Sequence, residues 1–415
     1  MNEHHNKVTG YDPDVLERAL QDWQERAIQP YQKGFTELGP ITPNRLVAEG
    51  HTLDELTPPL LVLRAEALEH NVSTMARWVD AHDVRHAPHG KTTMSPQIVA
   101  RQLRAGVWGI TAATIGEVRT FVDLGARRVV LANQLVDPVG IRWLAHAMRE
   151  LPELTVIGYV DSVDGVRLLD RELTASSAPR PLPVLVELGV AGARTGARGP
   201  DAALRVAEAA SASPALRVVG ASAFEGVLGH DRDQATFDEV ADLCHQVRQL
   251  GLRIAEHPIV SAGGSTFFDV AAEALSGPEP ATVVIRSGGY VTHDDGLYAH
   301  ATPLPSNRPD GLIPAIEVYA QVLSRPEPTR ALVGAGRRDL PFDASLPVVK
   351  NLPGVEVSRL NDQHAFLDLP AELPLAAGDR VVFGIAHPCT AFDKWRVIPI
   401  VDDTDRIVEV AHTLF

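Results

Sequence analysis

Two short segments of this chain hold residue types whose spacing suits chemistry. Pro88-His89-Gly90-Lys91-Thr92-Thr93 places one lysine just after an apolar, β-branched run. An amine at the mouth of a closed barrel loses part of its hydration, which lowers its pKa and makes a Schiff base with a carbonyl feasible. The competing interpretation is an ordinary solvated rim lysine. Near the other end, His387-Pro388-Cys389 sets an imidazole and a thiolate two residues apart on an extended segment. Both side chains can then face one ion, and the pair favours zinc. Two donors do not complete a site; ligands from water or substrate make such a site catalytic rather than structural. Here the competing interpretation is a packed cysteine beside an incidental histidine. Cys244, in Asp242-Leu243-Cys244-His245 on a predicted helix, reads as a core thiol without a role.

The elements that must position these groups follow from periodicity. Strand-like runs fall near Val84–His89, Trp108–Ala113, Arg128–Asn133, Thr155–Asp161, Pro183–Gly189, Arg217–Glu225, Ile259–Gly263 and Thr282–Ser287. Amphipathic stretches lie between them at Gln97–Leu103, Ile115–Leu124, Pro138–Arg149, Ala202–Ala210 and Gln234–Leu250. Strands alternating with helices at short period predict βα units and a parallel sheet. Eight units predict a closed (β/α)₈ TIM-type barrel; an open doubly wound sheet usually has fewer, and the Gly-rich turn expected after its first strand is missing.

Active sites of such barrels lie at the C-terminal ends of the strands. The first strand ends in Lys91, the fifth is followed by Arg194-Thr195-Gly196, and the sixth ends in Phe224-Glu225-Gly226. The seventh ends in Ser261-Ala262-Gly263-Gly264-Ser265-Thr266 and the eighth in Arg286-Ser287-Gly288-Gly289-Tyr290. Turns after strands seven and eight are the usual phosphate cradle, because bare backbone N–H groups can converge on an anion. Gly263, Gly264 and Ser265 suit that role, with Gly289 and Tyr290 on the other side. The alternative is that these glycines only make tight turns.

Beyond Tyr290 the helical period fades. Pro and Gly punctuate short runs at Ile316–Leu323, Arg330–Val333, Val355–Leu360, Arg380–Phe383 and Arg396–Val401. They predict an antiparallel β domain with turns at Arg325-Pro326-Glu327-Pro328 and Ala376–Asp379. One helix, Asp14–Ala27, is expected in the N-terminal segment, capped by Asp12 or Asp14. The expected division is thus an N-terminal helical extension over 1–56, a barrel over 57–290 and a β domain over 291–415.

Bulk properties exclude several classes. A length of 415 residues with 45% hydrophobic and 22% charged residues is ordinary for a globular chain with room for two units. A formal net charge of −15 argues against nucleic acid, which needs a basic face; the densest basic cluster, Arg127–Arg128, is too short for that role. The longest apolar runs are strand-length, so no membrane helix is expected. The polar start of the chain lacks a signal-peptide core, and His4 and His5 read as tail residues. Two cysteines rule out a disulfide framework and suit a reducing cytoplasm.

Taken in order, Pro88-His89-Gly90-Lys91-Thr92, Arg194-Thr195-Gly196, Ser261-Ala262-Gly263-Gly264-Ser265 and His387-Pro388-Cys389 resemble the motifs of the D-threonine aldolase and D-serine dehydratase family. These are fold-type III pyridoxal-phosphate enzymes related to the alanine racemase barrel, and the resemblance runs from about Thr57 to Phe415. It implies an alanine racemase-like barrel with a β domain, in a head-to-tail homodimer. It makes Lys91 the lysine that binds pyridoxal 5′-phosphate and places Arg194 near the pyridine ring or its 3-hydroxyl. It sets Gly263, Gly264, Ser265, Gly289 and Tyr290 around the phosphate, and makes His387 and Cys389 ligands of a catalytic divalent metal. The His-x-Cys form resembles the zinc-dependent dehydratases, whereas the aldolase branch more often presents His-x-Asp. The chain departs from the family at Ala87 and Thr93, where Arg and His are common, and at Phe224, where Tyr is common.

The implied activity is dehydration and deamination of a β-hydroxy D-amino acid such as D-serine, D-threonine or 3-hydroxyaspartate, giving a keto acid and ammonia. The alternatives are a retro-aldol lyase, which releases glycine and an aldehyde, and a non-catalytic pyridoxal-phosphate binding protein.

Overall fold

The computed structural model of the chain describes residues 10–415, so His4 and His5 lie outside the described residues. Two compact units emerge. One comprises the N-terminal segment up to Leu16, Ala76–Lys91 and Gln102–Gly288; the other comprises Glu17–Met75, Thr92–Arg101 and Gly289–Phe415.

In the first unit all eight expected strands form. They run Arg85–His86, Ile110–Ala112, Arg128–Gln134, Thr155–Val160, Leu182–Gly189, Leu216–Ala223, Ile259–Ala262 and Thr282–Ile285. Each pairs in parallel with its neighbour in sequence from the second strand to the eighth. Closure comes at the first strand, which pairs with the eighth through Arg85↔Val284 and His86↔Ile285. On its other side Trp108 N donates to His86 O (2.8 Å) and Thr111 N to Pro88 O (2.8 Å), with a parallel bridge from His89 to Thr111. The sheet is a closed barrel, not an open doubly wound sheet. Val130, Ile157, Tyr159, Leu185 and Val284, from four of the strands, form one buried cluster with Ala87, which directly follows the first strand.

Local chemistry starts the outer helices. Ile115–Asp123 begins where Thr114 accepts from Glu117 N, and Pro138–Glu150 begins on Asp137 with proline in its first turn. Asp233 caps Gln234–Ile254. Asp12, one of the two expected caps, accepts from Asp14 N and Val15 N at the start of the N-terminal helix Pro13–Gln24. Helices Ala65–Ala81, Val163–Ala175 and Phe268–Leu275 are additional to the expected stretches, as is the short Pro43–Ala48 in the N-terminal segment, where one helix is expected. The basic pair has structural work: Arg127 binds Glu153 and Asp12 (3.0 and 3.2 Å), and Arg128 lies 4.7 Å over the Trp108 ring. No helix among the described residues is long and apolar enough to cross a membrane.

The second unit is built on one mostly antiparallel nine-stranded sheet. Ile316–Glu327, Arg330–Val333, Glu356–Leu360, Arg380–Gly384 and Val397–Val401 answer the expected runs, while Val348–Val349, Ala365–Asp368 and Ile407–His412 are additional. The long strand continues through Pro326 to Glu327, with register shifts that accommodate the proline. The turn at 376–379 forms as expected, with Gly378 at φ +96°. A short helix, Leu297–Ala301, interrupts the β texture. Leu60–Arg64 inserts into this sheet, antiparallel to Ile316–Glu327 and parallel to Val397–Val401. Ile28, Phe35, Leu46 and Leu53 pack with Val62, Tyr319, Val401 and Ile407 in its core.

The barrel also carries a pH-sensitive component. His86 is 3% exposed and bonds through Nε2 to Ser287 O (2.8 Å). Burial lowers its pKa to about 4, and the hydrogen bond only partly opposes this. An unfolded chain binds that proton near pH 6.5 and the native chain does not until about pH 4, so stability is lost as pH falls through this window. From His86 alone the loss is about 2 kcal/mol between pH 7 and pH 5. Urea midpoints at the two pH values test this, with His86→Gln expected to remove the increment; an unchanged pH dependence in the variant refutes it.

Candidate functional site

A cavity of about 250 Å³ is lined by His89, Lys91, Asn133, Arg194, Thr195, Phe224, Gly264 and Arg286, which come from the C-terminal ends of the barrel strands. Lys91 sits in a single 3₁₀ turn, Gly90–Thr92, immediately after the first strand, and its side chain is exposed at the cavity. Lys33, Lys350 and Lys394 each pair with a carboxylate, and Lys91 alone of the described lysines has no such ion pair. Its charge acts on Glu117, whose carboxyl is raised by burial and accepts from Ala113 N (2.7 Å).

Arg286, which shares the cavity with Lys91, belongs to a buried polar cluster. Arg286, 6% exposed, donates to Ser222 Oγ (3.3 Å), Ser261 Oγ and Ala223 O (2.7 Å), all neutral acceptors. Tyr159 hydrogen-bonds to Ser222 (2.7 Å), and burial raises its hydroxyl pKa. His89 is held well below its usual range, first by burial and then by Lys91, Arg286 and Arg194. It is therefore neutral, and its Nδ1 is buried without a hydrogen-bond partner among the described residues.

Arg194 stacks its guanidinium 4.2 Å over the Phe224 ring. Its loop is fastened by Arg198, which donates to the carbonyls of Ala193, Arg194, Thr195 and Gly196, and by Asp161, which accepts from Gly196 N (3.0 Å). The loop after strand seven contains Gly263, Gly264 and Ser265. Gly263 has φ +86°, and a Cβ there would lie 2.9 Å from Ile285. The Gly263 and Gly264 amides donate to Glu225 Oε2 and Oε1 (3.0 and 2.5 Å). Ser265 Oγ lies 3.3 Å from Ser287 Oγ, which ties this loop to the one after strand eight.

The remaining expected residues belong to the second unit. Gly289 and Tyr290 form a buried 3₁₀ turn, Gly289–Val291. His387 and Cys389 are half-buried neighbours. His387 Nδ1 lies 2.6 Å from Asp343 Oδ2, whose other oxygen accepts from Thr390 Oγ1 (2.6 Å). Burial opposes a charged imidazole, but Cys389 and Asp343 outweigh it and raise His387 to about 9. Thr92 Oγ1 lies 3.4 Å from Cys389 Sγ. Cys244, by contrast, is a buried core thiol, as expected, and burial raises its pKa.

The alanine racemase N-terminal domain model matches residues 63–275, just over half of the chain, and a serine dehydratase domain model matches residues 315–401. The chain belongs to the alanine racemase-like, fold-type III family of pyridoxal-phosphate enzymes. This fold-type III chain is 27% identical over 326 residues to the D-threonine aldolase of an Arthrobacter species, an alignment covering 76% of this chain and 81% of that one. It is 27% identical over 254 residues to the D-threo-3-hydroxyaspartate dehydratase of a Delftia strain, covering 59% and 63%. Among solved structures, the D-threonine aldolase of Filomicrobium marinum superposes with a TM-score of 0.76 at 27% identity, covering 89% of this chain and 98% of that one.

The donor set fits the family's cofactor. One amine and two guanidiniums share a cavity, and at Gly264 a Cβ would come within 3.1 Å of Glu225. His387 and Cys389 would offer an ion nitrogen and sulfur donors, which suit a borderline metal such as zinc. Among the described residues no three His, Cys, Asp or Glu side chains converge on one ion position, so an ion held by that pair would need further ligands. Several neighbours of the site carry no sequence signal. Asp343 is far in sequence from His387, and Arg198 gives no sign that it clamps the Arg194 loop. Asp294 is wholly buried, accepts at Oδ1 from Gly296, Tyr298 and Ala299, and is raised by burial to about 7.

Proposed function

We propose that this chain is a pyridoxal-phosphate- and divalent-metal-dependent dehydratase that converts a β-hydroxy D-amino acid to a keto acid and ammonia. The observation behind it is the lysine without an ion pair in the barrel cavity with two arginines, in a chain that also carries the donor pair His387 and Cys389. Lys91 would be the amine that holds the cofactor's carbonyl and, when free, the base placed to take the substrate's α-proton. Arg194, held on Phe224, and Arg286, held by Ser222 and Ser261, supply positive charge for the anionic groups of cofactor and substrate. Neutral His89 adds no further charge beside them.

When bound, the cofactor supplies an electron sink for charge at Cα, and the metal supplies Lewis acidity toward the β-oxygen. His387 and Cys389 are the residues that hold the metal, which we take to be zinc. Asp343 orients His387 by its hydrogen bond to Nδ1. Loss of water and hydrolysis of the resulting enamine give the keto acid and ammonia. We read Gly263, Gly264, Ser265, Gly289 and Tyr290 as framing the phosphate, and the enzyme as a homodimer. Two free thiols accord with the cytoplasm.

The second reading is retro-aldol cleavage, favoured by the likeness to two D-threonine aldolases. Incubation with D-serine, D-threonine and 3-hydroxyaspartate decides between them. Keto acid and ammonia are expected; glycine and an aldehyde would replace this reading with the aldol one. No turnover of any D-amino acid, in protein free of metal, would point to a non-catalytic cofactor carrier.

A further inference from the structure

The loop after the seventh barrel strand has the composition of a phosphate cradle, but its first two amides are already engaged. Glu225 Oε2 accepts from Gly263 N at 3.0 Å and Oε1 from Gly264 N at 2.5 Å. Glu225 has no solvent exposure. No arginine or lysine is bonded to its carboxylate among the described residues, so the two amides are its principal compensation. A buried carboxylate held this way is costly to disturb, because moving it strands a charge and two N–H groups together. Space points the same way. A Cβ on Gly264 would sit 3.1 Å from Glu225 Oε1 and 3.3 Å from the Phe224 ring, and one on Gly263 would sit 2.9 Å from Ile285. The loop is thus packed onto the end of the sixth strand, and its path is set before any anion arrives.

We propose that Glu225 is a positioning residue for the cofactor's phosphate: it fixes Gly263 and Gly264 from behind, so that the anion is met by the groups that follow Gly264. The inference rests on the pyridoxal-phosphate reading above and changes one part of it. Gly263 and Gly264 shape the cradle and do not donate to the phosphate. The same strand end holds Arg194 through the neighbouring Phe224. One dipeptide, Phe224-Glu225, therefore sets the loops after strands five and seven.

Removing one acceptor oxygen while keeping the shape isolates this role. In Glu225→Gln the amide nitrogen faces a backbone N–H and one hydrogen bond is lost. Affinity for pyridoxal 5′-phosphate is expected to fall about tenfold or more. Affinity for pyridoxal, which lacks the phosphate but can still be trapped on a lysine with borohydride, is expected to change less than about threefold. Equal losses for both would assign Glu225 a merely structural role, and no loss for either would remove it from the site; both outcomes overturn the proposal. Wild-type protein that binds neither compound overturns the cofactor reading itself, which is a different failure. A measurement on the unmodified protein guards against a variant that does not fold. The Gly263 and Gly264 amides are expected to resist hydrogen exchange equally with and without the cofactor. Protection that appears only with the cofactor would mean that phosphate takes these amides from Glu225, and the proposal would be wrong.

Discussion

Replacing Lys91 with alanine is expected to remove the visible absorbance of the purified protein and to lower turnover at least about a thousandfold, since tether and base are lost together. The chain has only five lysines, which makes the assignment easy to check. Lys33 binds Asp339 (2.7 Å), Lys350 binds Glu317 (2.8 Å) and Lys394 lies 4.0 Å from Asp393. Each of those amines is engaged by a carboxylate, whereas Lys91 opens on the cavity without such a partner. Borohydride reduction followed by peptide mapping should place the label on Lys91. A label on any other lysine, or a wild-type protein that stays colourless when supplied with the cofactor, would defeat the assignment.

The second large effect concerns the ion. Exhaustive chelation, or Cys389→Ala, is expected to lower keto acid formation by about a hundred- to a thousandfold, because Lewis-acid help to a hydroxide leaving group contributes several kcal/mol. Visible absorbance at the cofactor should be unaffected. That separation is the useful feature, since loss of both signals would mean general misfolding. Cys389→Asp replaces a soft donor with a hard one. It is expected to shift the preferred ion toward manganese or magnesium and to raise the proportion of glycine among the products. If chelation leaves turnover unchanged while metal analysis shows the ion gone, His387 and Cys389 have no part in the reaction.

The barrel was legible in the sequence because parallel strands buried on both faces must be apolar along their length. Runs such as Val129–Leu131 and Val184–Val186 therefore carry their own signal. Phe268–Leu275 was not legible as a helix, because it is eight residues long and apolar on most faces. Leu60–Arg64 was harder still. Nothing in LLVLR states that its partners are Ile316–Glu327 and Val397–Val401, since strand pairing is a property of two segments and not of one. The site divides in the same way. Lys91, Arg194, Gly264 and Arg286 could be placed on one rim by counting strands, and they share one cavity. The Asp343–His387 contact and the four carbonyls gathered by Arg198 are tertiary facts with no local trace. Glu225 stood out as an acid at a strand end, yet its two amide partners depend on how the next βα unit returns.

The placement of Leu60–Arg64 reaches beyond the folded molecule. This strand is central to its sheet, but its neighbours begin at Ile316 and Val397. During synthesis the first sixty residues leave the ribosome with Ile28, Phe35, Leu46 and Leu53 made long before Tyr319, Val401 and Ile407 exist to cover them. The barrel strands are translated in the interval, each from the second onward next to a neighbour already made. The chain thus carries an unfinished greasy segment for most of its translation, the kind of nascent state that chaperones shield. A fragment that starts at residue 291 would lack its middle strand, so this half of the molecule cannot be obtained by simple truncation.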